Sequence, residues 1–189
     1  MSREAPRREQ PPKPPLKRQR SVAIVNTGDG KGKSTAAFGV VLRAVARGWR
    51  VSVIQFVKSD RWKVGEERAC RRLGVDWAQT GDGFSWLSDD LERSQALAMA
   101  AWQLARETIA AGEHQLVVLD ELTYPINWGW IPAAEAARML RERPDHVNVV
   151  ATGRDAPPEL IDAADTVTEM ASVKHAYDQG VQAKRGIDF

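Results

Sequence analysis

Short apolar runs alternate along this chain with longer stretches in which apolar residues recur every three or four positions. The short runs are Val22 to Val25, Val51 to Val57 (VSVIQFV), Val75 to Gln79, Leu116 to Leu119 (LVVL), Val147 to Ala151 (VNVVA) and Thr166 to Met170. Runs of this kind suit strands of a parallel sheet. Between them, helical composition covers Ser34 to Ala46, which stops at Gly48, then Gly65 to Leu73, Leu91 to Ala111, Ala133 to Arg143, ended by Pro144, and Pro157 to Ala164. Leu91 to Ala111 is the longest helix predicted. Strands alternating with helices predict an α/β fold, a mostly parallel sheet with helices on both faces and a site in the loops at the strand C-terminal ends. There is no internal repeat.

Composition divides the chain unevenly. At 189 residues it is one domain, long enough to bury about 70% of its unfolded surface. Residues 1–20 hold seven Lys/Arg and two Glu, a net of +5, so against a total of +2 the remaining residues 21–189 carry −3. That leader also holds five of the ten prolines, with Met1 and Leu16 its only large aliphatic residues. Such a segment cannot offset an ordering cost of about 1 to 2 kcal/mol per residue, and disorder in isolation is expected. Its uses stay open between a solubilising arm, a segment that orders over a site, and a binder of nucleic acid or an anionic surface; the interleaved prolines and missing aromatics weigh against the last. No stretch resembles a signal-peptide core or a membrane span, so a cytoplasmic location is expected. Cys70, the single cysteine, excludes an internal disulfide and any multi-cysteine metal site.

The chemistry starts after the first apolar run, where NTGDGKGKST occupies residues 26–35. A strand that breaks into glycines before Lys-Ser opens a helix is the arrangement that holds nucleotide phosphates on backbone N–H groups and a helix N-terminus. Gly32, Lys33 and Ser34 fit the pattern G-x-x-x-x-G-K-[ST], while Thr27 stands where its first glycine falls. Gly28 and Gly30 restore backbone freedom and close approach. Lys31 adds a second ammonium, and each charge pair about 4 Å apart is worth roughly 4 kcal/mol at an effective dielectric near 20. The run Leu116 to Leu119 ends in Asp120-Glu121, and a carboxylate so placed, with the loop hydroxyl, holds Mg²⁺ on the phosphates. Ser34 and one of these two acids are the predicted magnesium pair. A third loop of the same end is TGR, residues 152–154.

Two aromatic groups remain open. In TGDGFSWLSDD, Phe84 and Trp86 are spaced i, i+2 and project to one side of an extended segment. They are either a plug fastening the loop or a wall for a large flat ligand. In TYPINWGW, Tyr124, Trp128 and Trp130 are partner surface, ligand wall or packing.

Together NTGDGKGKSTAAFG, VIQFVK, GFSW, VVLDELTY, VVATGR and the ending ADTVTEM…VKHAYDQGVQAKRGIDF resemble the ATP:corrinoid adenosyltransferases of cobalamin biosynthesis and salvage, across residues 21–189. The resemblance implies a single-domain RecA-like P-loop fold and transfer of the 5′-deoxyadenosyl group of ATP to Co(I) of a corrinoid, releasing triphosphate. It implies ATP contacts from Asn26, Thr27, Gly28, Asp29, Gly30, Lys31, Gly32, Lys33, Ser34, Thr35, Arg43 and Arg154. Lys33 and Lys31 would stabilise the leaving group. Ser34 and Glu121 would ligate Mg²⁺, with Mn²⁺ the alternative, and Phe84 and Trp86 would pack under the corrin ring and displace its lower ligand. It also implies a homodimer, a flavoprotein-type reductant and an N-terminal segment that folds over the site. His114, His146 and His175 form no recognisable acid/base arrangement, which suits a metal-centred nucleophile.

Two other classes compete. A phosphate-loop ATPase or kinase would present the γ-phosphate to water or a hydroxyl, with Glu121 as the positioned carboxylate. A nucleic-acid binder would need a basic stripe with stacking aromatics, which the net-acidic residues after Arg20 do not supply.

Overall fold

The computed structural model describes residues 21–59, 65–81 and 91–188. The leader, and the loop that carries Phe84 and Trp86, lie outside the described residues. The elements run β1 (Ala23–Thr27), α1 (Lys33–Ala46), β2 (Val51–Ser59), α2 (Gly65–Arg72), β3 (Asp76–Gly81), α3 (Leu91–Ala111), β4 (Leu116–Asp120), α4 (Thr123–Asn127), α5 (Ala133–Glu142), β5 (Asn148–Thr152), α6 (Pro158–Ala163) and β6 (Thr166–Glu169), followed by a 3₁₀ turn at Tyr177–Gln179. All six strands are parallel, in the order β3-β2-β4-β5-β1-β6.

Alternation within the strands divides the core between two faces. Val53, Leu116 and Val118 pack with Phe38 and Val41 of α1 and with the buried thiol of Cys70, whereas Ile54, Val117 and Leu119 face Trp102 and Ala105 of α3 and Leu140 of α5. The chain therefore leaves β1 in one direction across the sheet, towards β2 and β3, and returns in the other, through β4, β5 and β6. Right-handed crossovers then place helices on opposite faces, and the crevice at the strand C-terminal ends opens where the order reverses. The register brings Gln55 opposite Asp120 and Asn26 opposite Thr152 at that end.

Helix ends follow local chemistry. Gly48 (φ 79) accepts the left-handed turn after α1, with its N–H on Val45 O (2.9 Å) and the Trp49 N–H on Ala44 O (3.0 Å). Arg143 adopts an extended ψ of 147 because Pro144 follows, so α5 stops at Glu142. The helix α4 was not expected; it is a single packed turn, with Thr123, Pro125 and Ile126 buried.

Leu119 is fully buried and Val167 on the edge strand β6 is 38% exposed. Leu119→Ala is expected to cost about 2–5 kcal/mol in urea unfolding, and Val167→Ala about 0.5 kcal/mol or less. Equal costs would contradict this division of the core.

Candidate functional site

The loop between β1 and α1 folds on itself. Thr27 still belongs to the strand, its hydroxyl accepting from the Ala156 N–H (3.1 Å), and the reversal starts at Gly28 (φ 90). That explains why position 27 dispenses with glycine. Asn26 is also turned inward and donates to the Lys33 carbonyl (3.2 Å). Gly32 (φ 124) caps α1 without a side-chain hydrogen bond, and the first turn of α1 contains no acidic residue. Its leading N–H groups therefore face the loop opening with the positive end of the helix dipole. Ser34 and Thr35 lie in this first turn.

The ammonium of Lys33 is held by the loop's own carbonyls, Gly28 O at 2.6 Å and Gly30 O at 2.8 Å. Burial, then the neighbouring Arg154 charge, lowers its pKa from the ordinary lysine value, against the pull of Asp29, Glu121 and Asp155. Lys31 points elsewhere, to Asp188 at 2.8 Å. The carboxyl of Asp188 is held below its usual range by the Lys184 N–H and by Lys31.

The glycines do more than free the backbone. A Cβ on Gly28 would stand 2.6 Å from the Met170 carbonyl oxygen, and one on Gly30 2.6 Å from that of Ala171. The Gly30 N–H donates to Met170 O (2.6 Å) and the Met170 N–H to Thr27 O (2.8 Å). The close approach permitted at Gly28 and Gly30 is thus to the chain's own segment after β6.

The two acids at the end of β4 have different fates. Asp120 is fully buried, with Gln55 Nε2 donating to one oxygen and Thr152 Oγ1 to the other, both at 2.7 Å. Thr152 Oγ1 also accepts from the Glu121 N–H (3.0 Å). Glu121 has φ 65, a left-handed conformation rare for a residue with a side chain. This reversal turns the chain out of the buried strand at the residue that resemblance places on the metal. Gly153 (φ 144) lies against Thr123, whose hydroxyl donates to the Arg154 carbonyl (2.6 Å); a Cβ at 153 would overlap that hydroxyl. Arg154 extends over the loop, with Nε 3.9 Å from Asp29.

Lys31, Lys33, Asp29 and Arg154 thereby border one cleft of about 510 Å³. Arg43 does not join them. It lies ten residues beyond Lys33 in α1, about 15 Å along the axis, in a groove with Val22, Leu116 and Asn148 at the opposite end of the strands. The structure therefore does not bring Arg43 together with Lys33 and Arg154. Of the TYPINWGW aromatics, Tyr124 and Trp128 are half-buried against the core and Trp130 packs on Trp128 (ring centroids 4.7 Å). Among the described residues, no group of three or more His, Cys, Asp or Glu side chains could hold a metal by itself. A lone carboxylate and a hydroxyl beside a phosphate loop still fit Mg²⁺, which takes few protein ligands and completes its shell with phosphate oxygens and water. Gln55 was missed, although a polar side chain inside VSVIQFV was its signal.

Residues 19–189 match the family model described as ATP:corrinoid adenosyltransferase BtuR/CobO/CobP. The chain is 43% identical over 171 residues to "Corrinoid adenosyltransferase CobA" of Salmonella typhimurium, covering 90% of this chain and 87% of that protein. It is 41% identical over 171 residues to the corrinoid adenosyltransferase of Escherichia coli K12, with the same coverage. To that of Pseudomonas aeruginosa it is 43% identical over 173 residues, covering 90% and 85%.

Two substitutions separate strain from support. Glu121→Gly is expected to raise stability by up to about 1 kcal/mol by relieving the left-handed backbone; a loss of that size would contradict the strain. Thr152→Val, which leaves Asp120 and the Glu121 N–H short of a partner, is expected to cost about 1–3 kcal/mol, and a neutral result in urea unfolding would refute the network.

Proposed function

This chain belongs to the ATP:corrinoid adenosyltransferase family, and we propose that it transfers the 5′-deoxyadenosyl group of MgATP to the Co(I) centre of a corrinoid, releasing triphosphate, in adenosylcobalamin biosynthesis or salvage. The observation that carries this reading is that Arg154 and Glu121, the latter on a reversed backbone, both lie close enough to Lys33 of the loop to act on its charge at one end of the sheet. Such a site grips a triphosphate and leaves the carbon end of the nucleotide to a second substrate. A Co–C5′ bond forms with the electron pair of Co(I), the C5′–O bond breaks, and its electrons stay on the triphosphate, so no proton needs to move.

The protein's share is to position both substrates and stabilise charge on the leaving group. Lys33 exchanges the carbonyls of Gly28 and Gly30 for phosphate oxygens, and the added negative charge raises its pKa back. Lys31 exchanges Asp188 in the same way. Asn26 and Thr27 shape the loop, the amides from Gly28 to Thr35 line it, and Arg154 approaches from the side. Ser34 and Glu121 would hold Mg²⁺, which neutralises charge on the phosphates. Phe84 and Trp86 are assigned to the corrin ring on the family resemblance alone, as are a homodimer, a flavoprotein-type reductant and a leader that folds over the site. No described helix is long and apolar enough to cross a membrane; a cytoplasmic location is part of the proposal.

Incubated with MgATP and chemically reduced cobalamin, the protein is expected to produce the absorbance of an adenosyl–cobalt bond and free triphosphate. Lys33→Ala should lower kcat by about 10²–10³. ADP and orthophosphate formed without a corrinoid would instead establish an ATPase or kinase.

A further inference from the structure

On the face of the sheet that α1 covers, the strands change character at one level. Val53, Val118 and Val150 fill that face lower down, all buried and apolar. Two residues further along each strand, on the same face, stand Gln55, Asp120 and Thr152. The register continues this polar level to Gln79 on one side, and to Asn26 and Thr168 on the other. It ends at the start of α1, where Asn26 donates to the Lys33 carbonyl.

Gln55 is the anomaly in this row. It is fully buried, and while its Nε2 donates to Asp120 at 2.7 Å, its Oε1 has no hydrogen-bond partner among the described residues. A buried carbonyl left unpaired is costly, and a methionine would fill similar space without that cost. Packing therefore does not explain an amide at this position; its donor end does. An amide nitrogen can only donate and a carboxylate only accept, so the single proton of Thr152 is drawn to the other oxygen of Asp120, and the Thr152 oxygen is left to accept from the Glu121 N–H. The direction of every hydrogen bond from β2 to Glu121 follows from the donor at position 55. Without it the carboxyl of Asp120 gains freedom to turn about its Cβ–Cγ bond, and the Thr152 hydroxyl can follow it away from the reversed backbone of Glu121.

We propose that Gln55 is a positioning residue for the reaction: by fixing Asp120 as the acceptor for Thr152 it holds the left-handed backbone of Glu121, and so presents the Glu121 carboxylate to the cation that accompanies the triphosphate. This inference rests on the magnesium role proposed for Glu121 and names the residue, one strand beyond Asp120, that sets its posture. Gln55 itself touches neither the metal nor the nucleotide in this role.

Calorimetric titration of the full chain with tripolyphosphate, once with Mg²⁺ and once in EDTA, tests it, the readout being the gain in affinity that the metal confers. Gln55→Met should cut that gain about 10- to 100-fold, the usual effect of removing a hydrogen bond that orients a metal ligand, and leave metal-free tripolyphosphate within about two-fold. Should Gln55→Met fail to fold, Gln55→Asn, whose shorter amide stops short of Asp120, is read in the same way. An equal loss with and without Mg²⁺ would make Gln55 a general support of the fold and overturn the proposal, as would an undiminished metal gain. Glu121→Gln separates the two levels of the argument, because it should abolish the gain. If Glu121→Gln keeps the gain, the magnesium role falls together with this inference; if it loses the gain while Gln55→Met keeps it, only this inference fails.

Discussion

The buried carboxylate of Asp120 is the constraint on which the site depends. A buried polar group is costly unless it is hydrogen-bonded, and here Gln55 from β2 and Thr152 from β5 donate to its two oxygens. Three neighbouring parallel strands are thus tied together at their C-terminal ends. Thr152 also receives the Glu121 N–H, so the hydroxyl that satisfies the buried acid helps hold the reversed backbone of the next residue. Strain of this kind costs of order 1–3 kcal/mol and persists only where the surroundings over-determine it.

Around that fixed point the cations gather with a few acids among them, Asp188 on Lys31 and Asp29 beside Arg154. Lys33, Lys31 and Arg154 collect on the loop side, and Glu121 stands at the end of β4. Within the family's reaction a cluster of cations suits a leaving group that departs with several negative charges. The segment after β6 belongs to the same unit, because Gly28 and Gly30 are shaped to receive it.

Much of this was legible in the sequence where information is local. The glycines before Lys33-Ser34, the stop at Gly48 and the span Leu91 to Ala111 reflect backbone freedom and apolar spacing, and the structure has them where expected. The acidic pair after LVVL was legible as a pair; its division into a buried Asp120 and an emerging Glu121 follows from partners 65 and 32 residues from Asp120, which no local pattern carries. Thr27 looked like a departure from a motif, yet it is the last residue of a strand. Arg43 follows the loop closely in sequence, yet helical rise takes it to the far end of the sheet from Lys33. The packing of Met170 and Ala171 onto the glycines depends on β6 lying beside β1, and only the topology shows it.

Which bond of the nucleotide breaks decides the reaction. ATP labelled with ¹⁸O at the oxygen joining C5′ to the α-phosphorus, turned over with a reduced corrinoid, should deliver the label wholly to triphosphate while the adenosyl carbon joins cobalt. Label retained on a nucleoside 5′-hydroxyl or on ADP would mean attack at phosphorus, and would contradict it.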